Sequence, residues 1–288
     1  MLHFIDIQKG DRGAQKHDTK TGQYVAVGAS VGGKSEDDLR SMARDRGLRI
    51  PPNWKDIQLS KDAKSGLQAT GVDKKGRKVY LYSVEHSQKA SAEKFSRLVD
   101  FAKNYKNIES KIESDFGKSE EAQVLYLISK TAFRIGSTKD TKAEKKAYGA
   151  TTLESQHVKI NGSDINFSFT AKKGVEVNQS IKDSKLANLL KGKKGKIFDT
   201  NGKKVNDYLD KIAGDRFKVK DFRTHIGTQI AIDTIKSLPA PKNQSERKKT
   251  VSKVYKTVAE KLNNTPDVAK KSYVAPEVLD LIKIKETK

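Results

Sequence analysis

The stretch LQATGVDKKGRKVYLYS, residues 67–83, contains two strand-like runs on either side of a polar turn. Leu67–Asp73 and Arg77–Ser83 are rich in β-branched and aromatic residues, and the KKG between them has the composition of a hairpin turn. Further on, the apolar residues from Phe95 to Tyr105 recur at helical spacing. The change from strand-like runs to helical spacing of the apolar residues predicts a domain boundary near residue 88.

Upstream of this hairpin the pattern also favours a small, mainly β domain covering residues 1–88. Residues 1–22 are polar and contain several glycines, so we expect them to be poorly ordered. Residues 23–27 and 54–59 are expected to form strands. A helix is predicted over residues 35–46, because Ser35 is a good N-cap and is followed by three acidic residues.

Downstream, residues 89–288 are expected to form a larger, mainly α-helical domain with a β-hairpin excursion. Ser119 precedes a second helix, and further helices are predicted over residues 203–213, 221–237 and 245–262. The excursion consists of strand-like residues 157–160 and 164–170 around an Asn-Gly turn, followed by a third run at 175–177. Together the two domains predict an α+β fold.

The composition indicates a polyanionic partner. The 288 residues carry 58 Lys+Arg against 36 Asp+Glu, a net charge of +22, spread along the whole chain. Such a charge favours nucleic acid as the partner. Cysteine is absent, which excludes disulfides, thiolate metal sites and a cysteine nucleophile. With neither a long apolar run nor a signal-like N-terminus, we expect a soluble intracellular protein.

GASVGGKS, residues 28–35, matches the G-x-x-x-x-G-K-S phosphate-loop pattern. Such loops belong to parallel sheets built from βαβ units, and here Pro51-Pro52 and a β-meander follow instead. We therefore favour a glycine-rich turn whose Ser35 caps a helix. A nucleotide-dependent enzyme is the alternative.

Four segments in the second half carry the candidate chemistry. They are FRIGS at 133–137 with YGATTL at 148–153, FTAKKG at 169–174, KDFRTH at 220–225, and NTP at 264–266 with SYV at 272–274. Together with IPPNWKDI at 50–57 and the 67–83 hairpin, they resemble the type IB DNA topoisomerases in their short bacterial and poxvirus-like form. The resemblance covers about residues 33–280.

The resemblance implies phosphoryl transfer from DNA to a tyrosine, with no cofactor and no metal. Tyr273 matches the nucleophile that takes the 3′ phosphate. Arg134 and Arg223 match the two phosphate-clamping arginines, whose planar forks can donate twice to phosphate oxygens. Lys172 matches the general acid for the 5′ oxygen. Asn264 stands where many members have histidine.

Two of these assignments carry open points. Asn264 can donate a hydrogen bond to a phosphate oxygen but cannot carry charge, so it would be a weaker stabiliser than imidazolium. Lys173, next to Lys172, is the other candidate for the general acid. Each residue also has a structural interpretation, such as a half-buried helix aromatic for Tyr273 or a surface ion pair for Arg223.

Family members clamp a DNA duplex between their two domains. The resemblance therefore assigns DNA contacts to Lys75, Arg77, Tyr80, Tyr82 and Lys220, with core packing of the two tyrosines as the alternative. The expected partner is double-stranded DNA, bound by a monomer without membrane association. The expected location is the cytoplasm at the nucleoid, or a virion or viral factory.

Two other classes share part of this pattern. A tyrosine recombinase uses the same Arg-Lys-Arg-(His/Asn)-Tyr set, but the Pro-Pro-x-Trp and YGATTL segments favour a topoisomerase. A non-catalytic DNA-binding protein would explain the charge alone. It predicts that Tyr273→Phe changes nothing.

Overall fold

A computed structural model describes residues 30–74, 76–141, 146–172 and 174–285. The chain divides into two compact units, Met1–Ser96 and Arg97–Lys288. The sequence-based boundary after residue 88 stays a prediction. The expectations for residues 1–22 and for a strand at 23–27 concern residues outside the described part.

The first unit contains a three-stranded antiparallel meander. Its strands are β1 (Lys55–Leu59), β2 (Leu67–Val72) and β3 (Lys78–Tyr82), in the spatial order β1-β2-β3. The hairpin predicted from residues 67–83 is confirmed, with Val72 paired to Lys78 next to its turn. An added Cβ at Gly71 would lie 2.9 Å from the Trp54 ring, so a glycine lets the indole pack against β2.

Helix α1 (Glu36–Asp45) precedes this sheet and begins as predicted. The Ser35 side chain accepts a hydrogen bond from the Asp38 backbone N–H at 3.2 Å, and the Asp38 carboxylate accepts one from the Ser35 backbone N–H at 3.2 Å. Leu39 and Ala43 of α1 are buried in the same core as Trp54. The capping interpretation of the glycine-rich motif is therefore confirmed, and the sheet that follows α1 is antiparallel.

Most of the helices belong to the second unit. Helix α2 (Val84–Asp115) begins in the first unit, well before the periodic stretch that predicted it. The helices that follow are α3 (Glu120–Thr131), α4 (Thr138–Thr141), α5 (Ser184–Leu190), α6 (Gly202–Ala213), α7 (Val219–Ser237), α8 (Gln244–Lys261) and α9 (Pro266–Ser272). Short 3₁₀ segments lie at Ala150–Thr152, Ser155–His157 and Pro276–Leu281. Sequence reasoning missed α4 and α5, which are too short for periodicity to register.

A second antiparallel meander lies between α4 and α5. Strands β4 (Val158–Asn161), β5 (Asp164–Ala171) and β6 (Val175–Lys182) pair in chain order, and this confirms the predicted β excursion. One face of β5 is buried, because Ile165, Phe167, Phe169 and Ala171 alternate with exposed or half-buried residues. The mixed fold, a small N-terminal sheet followed by a larger helical part, is as expected.

Two hydrophobic cores are formed by the described residues of the second unit. The larger one joins α2, α3, β5 and the start of α7, with Phe101, Leu125, Phe167 and Phe222 fully buried. The smaller one joins α7, α8 and α9, and Tyr273 packs against it. The candidate site residues of this unit are carried by elements that meet at these two cores.

Candidate active site

Arg223 lies one turn into α7 and is anchored at both ends of its guanidinium group. Its side chain donates through Nη1 to the Ala132 carbonyl and through Nη2 to the Leu262 carbonyl. The residue is only 7% exposed, and its Nε has no hydrogen-bond partner among the described residues. The sequence-based alternative of a surface ion pair for Arg223 is therefore wrong, because the guanidinium is buried and held by backbone carbonyls.

The start of α7 is fixed by a buried carboxylate. Asp221 is 2% exposed and accepts a hydrogen bond from the Lys218 backbone N–H at 2.9 Å. The same carboxylate receives both Nε and Nη2 of Arg97, at 2.9 and 3.1 Å. Because the pair is bidentate, it orients the first turn of the helix that carries Arg223.

Tyr273 terminates α9, where two hydrogen bonds hold its backbone. Its N–H donates to the Ala269 carbonyl at 3.0 Å, and its carbonyl accepts from Thr228 Oγ1 at 2.9 Å. An added Cβ at Gly227 would lie 2.9 Å from the Tyr273 Cβ, so this glycine allows α7 and the end of α9 to approach. The Arg223 guanidinium carbon lies 5.1 Å from the centre of the Tyr273 ring.

The two arginines make the phenol of Tyr273 more acidic. Burial raises its pKa, but the positive charges of Arg223 and Arg134 and hydrogen bonding from both side chains lower it further than burial raises it. The pKa of Tyr273 is therefore below its ordinary value of 10.0. A depressed pKa is what a phenolic nucleophile requires near neutral pH.

Arg134 and Asn264 are in direct contact. Arg134 Nη2 donates to Asn264 Oδ1 at 2.9 Å, and Asn264 Nδ2 donates to the Leu262 carbonyl at 3.0 Å. Both side chains are half-buried. Arg134 follows Ala132, which ends α3 in the left-handed conformation with φ of 56°. The turn thus presents the Ala132 carbonyl to Arg223, and it places Arg134 where its side chain reaches Asn264.

Lys172 is exposed in the turn between β5 and β6, where the sequence predicted it. The residue before it, Ala171, lines a small cleft together with Arg134 and Arg223. Lys173, the alternative general acid, lies outside the described residues.

The YGATTL segment joins the Arg134 loop to this turn. The Tyr148 N–H donates to the Thr170 carbonyl at 2.9 Å, and the Ala150 N–H donates to the Arg134 carbonyl at 2.8 Å. An added Cβ at Gly149 would lie 2.5 Å from that Arg134 carbonyl oxygen. Only glycine permits this approach, so Gly149 lets the YGATTL segment pack against the loop that carries Arg134.

The predicted DNA contacts of the first unit lie on or beside the hairpin. Arg77 is exposed but ion-paired with Asp73 at the base of the turn. Tyr82 is 40% exposed, Tyr80 is half-buried, and Lys75 lies outside the described residues. In the second unit, Lys220 is exposed at the start of α7, three residues before Arg223.

Sequence reasoning missed several groups that build this site. These are the Ala132 and Leu262 carbonyls, Gly227, Thr228 and the Arg97–Asp221 pair. Helical spacing could have found Gly227, which lies one turn after Arg223 on the same face. The carbonyl acceptors leave no trace in the sequence, because every residue has a backbone carbonyl.

Neither metal ligation nor membrane insertion is suggested by the described part of the chain. No group of three or more His, Asp or Glu side chains in it could hold a metal ion. Among those same residues, no helix is both long and apolar enough to span a bilayer.

Comparison with known proteins identifies the family. The model described as "Eukaryotic DNA topoisomerase I, catalytic core" matches residues 83–288, and the one described as "Bacterial DNA topoisomerase IB, N-terminal domain" matches residues 29–73. Both parts of the chain thus match DNA topoisomerases, a class of isomerases. The chain belongs to the type IB DNA topoisomerase family.

Several viral proteins are similar to the chain over most of their length. DNA topoisomerase 1B of Acanthamoeba polyphaga mimivirus is 31% identical over 273 residues, which covers 85% of this chain and 81% of the relative. DNA topoisomerase 1B of Vaccinia virus (strain Copenhagen) is 26% identical over 261 residues, with 83% and 81% covered. DNA topoisomerase 1 of Rabbit fibroma virus (strain Kasza) is 26% identical over 260 residues, with 82% and 79% covered.

Proposed function

We propose that this protein relaxes supercoiled DNA by breaking and rejoining one strand through Tyr273. The observation that carries the proposal is the tyrosine itself, a half-buried phenol beside two arginines that lower its pKa. A site of this kind pairs an activated nucleophile with cations for a phosphate.

In the forward step, Tyr273 Oη forms a bond to a backbone phosphorus and the bond from phosphorus to the 5′ oxygen breaks. The phenol proton goes to a base, and the leaving oxygen takes a proton from an acid and becomes a 5′ hydroxyl. The 3′ phosphate is then held on the tyrosine while the broken strand rotates. Re-attack by the 5′ hydroxyl reverses each of these changes and releases the tyrosine.

The bond count explains why the proposed reaction needs no ATP. One phosphodiester is exchanged for another, so the energy of the broken bond is kept in the phosphotyrosyl linkage. Charge on the pentacoordinate phosphorus must still be neutralised. We assign this task to Arg134 and Arg223, which supply the positive charge that metal ions supply in many phosphoryl-transfer sites.

Lys172 is assigned as the general acid for the 5′ oxygen. Its exposed turn follows Ala171, which lines the cleft shared with both arginines. A lysine on this turn, next to the cleft of the two arginines, is placed to donate a proton to the 5′ oxygen of bound DNA. For Asn264, the resemblance to the family implies a hydrogen bond from its second Nδ2 hydrogen to a non-bridging oxygen, the role expected from the sequence.

Double-stranded DNA is the proposed substrate, and the two units are proposed to close on it as a clamp. The net charge of +22 supports this partner. Lys75, Arg77, Tyr80 and Tyr82 are the proposed contacts of the first unit, and Lys220 is the proposed contact of the second. The protein is proposed to act as a monomer, in the cytoplasm at the nucleoid or, if it is viral, in a virion or viral factory.

Plasmid relaxation in EDTA without ATP tests the proposal. Wild type should relax the plasmid and leave protein-linked nicks when trapped with detergent, and Tyr273→Phe should do neither because it lacks the nucleophilic oxygen. Tyr255→Phe is the matched control, since Tyr255 packs against the same core, and it should relax the plasmid normally.

Other outcomes point to other functions. DNA binding without relaxation by either wild type or Tyr273→Phe would overturn the proposal and favour a non-catalytic binder. Cleavage confined to one sequence, with joining between two duplexes, would favour a recombinase. A strict requirement for ATP and magnesium would favour a nucleotide-dependent enzyme.

A further inference from the structure

Asn264 lies at the centre of a hydrogen-bonded network that joins the two arginines of the site. Its Oδ1 accepts from Arg134 Nη2 at 2.9 Å, and its Nδ2 donates to the Leu262 carbonyl at 3.0 Å. The same Leu262 carbonyl accepts from Arg223 Nη2. Arg223 continues the network to the Ala132 carbonyl, two residues before Arg134.

The chemistry of the partners fixes the orientation of the Asn264 amide. A guanidinium group only donates hydrogen bonds, and a backbone carbonyl only accepts them. Asn264 must therefore direct its oxygen at Arg134 and its nitrogen at Leu262. The side chain is held on both sides before any substrate is present, and one of its two N–H groups is already used.

The two arginines differ in how the protein holds them. Arg223 is buried and anchored by two backbone carbonyls. Arg134 is half-buried, and Asn264 Oδ1 accepts a hydrogen bond from its Nη2. Since a long arginine side chain loses much rotational freedom when it is fixed, an acceptor that holds it in advance lowers the cost of binding phosphate.

We propose that Asn264 is a positioning residue that acts through Arg134, by holding its guanidinium at a set place relative to Arg223. This inference rests on the proposed function and deepens it. It differs from the role expected from the sequence, in which Asn264 contacts the phosphate directly. The distinction is testable, because a residue that acts through Arg134 has no effect once Arg134 is gone.

A double-mutant cycle measures this dependence. The readout is the single-turnover rate of forming the detergent-trapped covalent complex with plasmid DNA at saturating enzyme. In the wild-type background, Asn264→Ala should slow cleavage on the order of ten- to a hundredfold, because it removes a hydrogen bond to a charged group. In an Arg134→Ala background the same change should slow cleavage less than about threefold.

An exposed arginine provides the matched control for the cycle. Arg216 pairs with Asp100 on the surface. In an Arg216→Ala background, Asn264→Ala should have its full effect, because the two changes are independent. An equal fold-loss from Asn264→Ala in the wild-type and Arg134→Ala backgrounds would overturn the inference in favour of direct contact or general structural damage.

The pH profile of Asn264→His provides a second readout that does not depend on how well the alanine variant folds. A neutral imidazole can accept from Arg134, whereas an imidazolium has no acceptor and repels it. The rate relative to wild type should therefore rise as pH passes upward through about 6.5, the ordinary histidine pKa. A relative rate that stays flat as pH rises overturns the inference. A relative rate that falls as pH rises also overturns it, because it indicates that the imidazolium contacts the phosphate directly.

The failure of this inference and the failure of the proposed function give different results. If the wild type forms no Tyr273-dependent covalent complex, the proposed function fails. If it forms the complex but the cycle is additive, only the positioning role of Asn264 fails.

Discussion

Replacing Gly227 with alanine should damage catalysis far more than stability. The new Cβ would lie 2.9 Å from the Tyr273 Cβ, 3.2 Å from the Tyr273 carbonyl oxygen and 3.0 Å from Leu262 Cδ1. Carbon atoms in contact normally lie about 3.5–4.0 Å apart, so the atoms must separate by roughly 0.5–1 Å. Leu262 can rotate away, but the Tyr273 atoms belong to or adjoin the backbone and move only if the end of α9 moves.

Two opposing terms limit the effect on stability. Alanine is favoured over glycine inside a helix by about 1 kcal/mol, and overpacking costs about 1–3 kcal/mol. The net loss of unfolding free energy should therefore not exceed about 2 kcal/mol. A displacement of about 1 Å in a reacting group costs on the order of a hundredfold in rate. Because Tyr273 is the displaced residue, the cleavage rate should fall by about that factor.

Urea unfolding and single-turnover cleavage of plasmid DNA check the two halves of this prediction. Gly117→Ala is the matched control, because an added Cβ at Gly117 meets no atom within 4 Å, and it should change neither quantity. A Gly227→Ala protein that cleaves at the wild-type rate would refute the argument. So would a loss of cleavage that is fully accounted for by the unfolded fraction.

Three further predictions concern charge and protonation. Arg97→Ala should lower the unfolding free energy by about 3 kcal/mol or more in urea titrations, because Asp221 is left buried without its bidentate partner, whereas Arg97→Lys should lose less. Burial lowers the pKa of His225 to about 4, so its contribution to stability is present above about pH 6.5 and should be lost as pH falls towards 4. Unfolding at pH 7 and pH 4.5 should therefore differ by more in wild type than in His225→Phe, and an equal difference in both proteins would contradict this. Arg223 is a main cause of the lowered pKa of Tyr273. In a pH–rate profile, the residual cleavage by Arg223→Lys should therefore have its midpoint below the pKa of free tyrosine, and the midpoint for Arg223→Ala should rise towards that pKa.

Much of the local structure could be predicted because it depends on neighbours in the chain. Ser35 caps α1 and Thr265 precedes Pro266 at the start of α9, as their side chains and the N1 proline favour. The turn that carries Lys172 follows from a polar Lys-Lys-Gly between two alternating strands. The large excess of lysine and arginine likewise indicates a polyanionic partner from composition alone.

The relations within the site could not be predicted, because they join residues far apart in sequence. Arg134 and Asn264 are 130 residues apart, yet they share a hydrogen bond. Arg223 is anchored by carbonyls of Ala132 and Leu262, and backbone acceptors have no sequence signature. The depressed pKa of Tyr273 is likewise a sum of burial and two distant charges.

The family, the local elements and the residue types of the site are thus readable from the order of the amino acids, because caps, turns and periodicity act over a few residues. Which groups hold the arginines follows only from the packing of distant segments. In particular, the packing directs the Asn264 oxygen at Arg134, since a side chain between a guanidinium donor and a carbonyl acceptor has only one satisfying orientation. That orientation arises when α3, α7 and the turn after α8 pack together, and no local pattern encodes it.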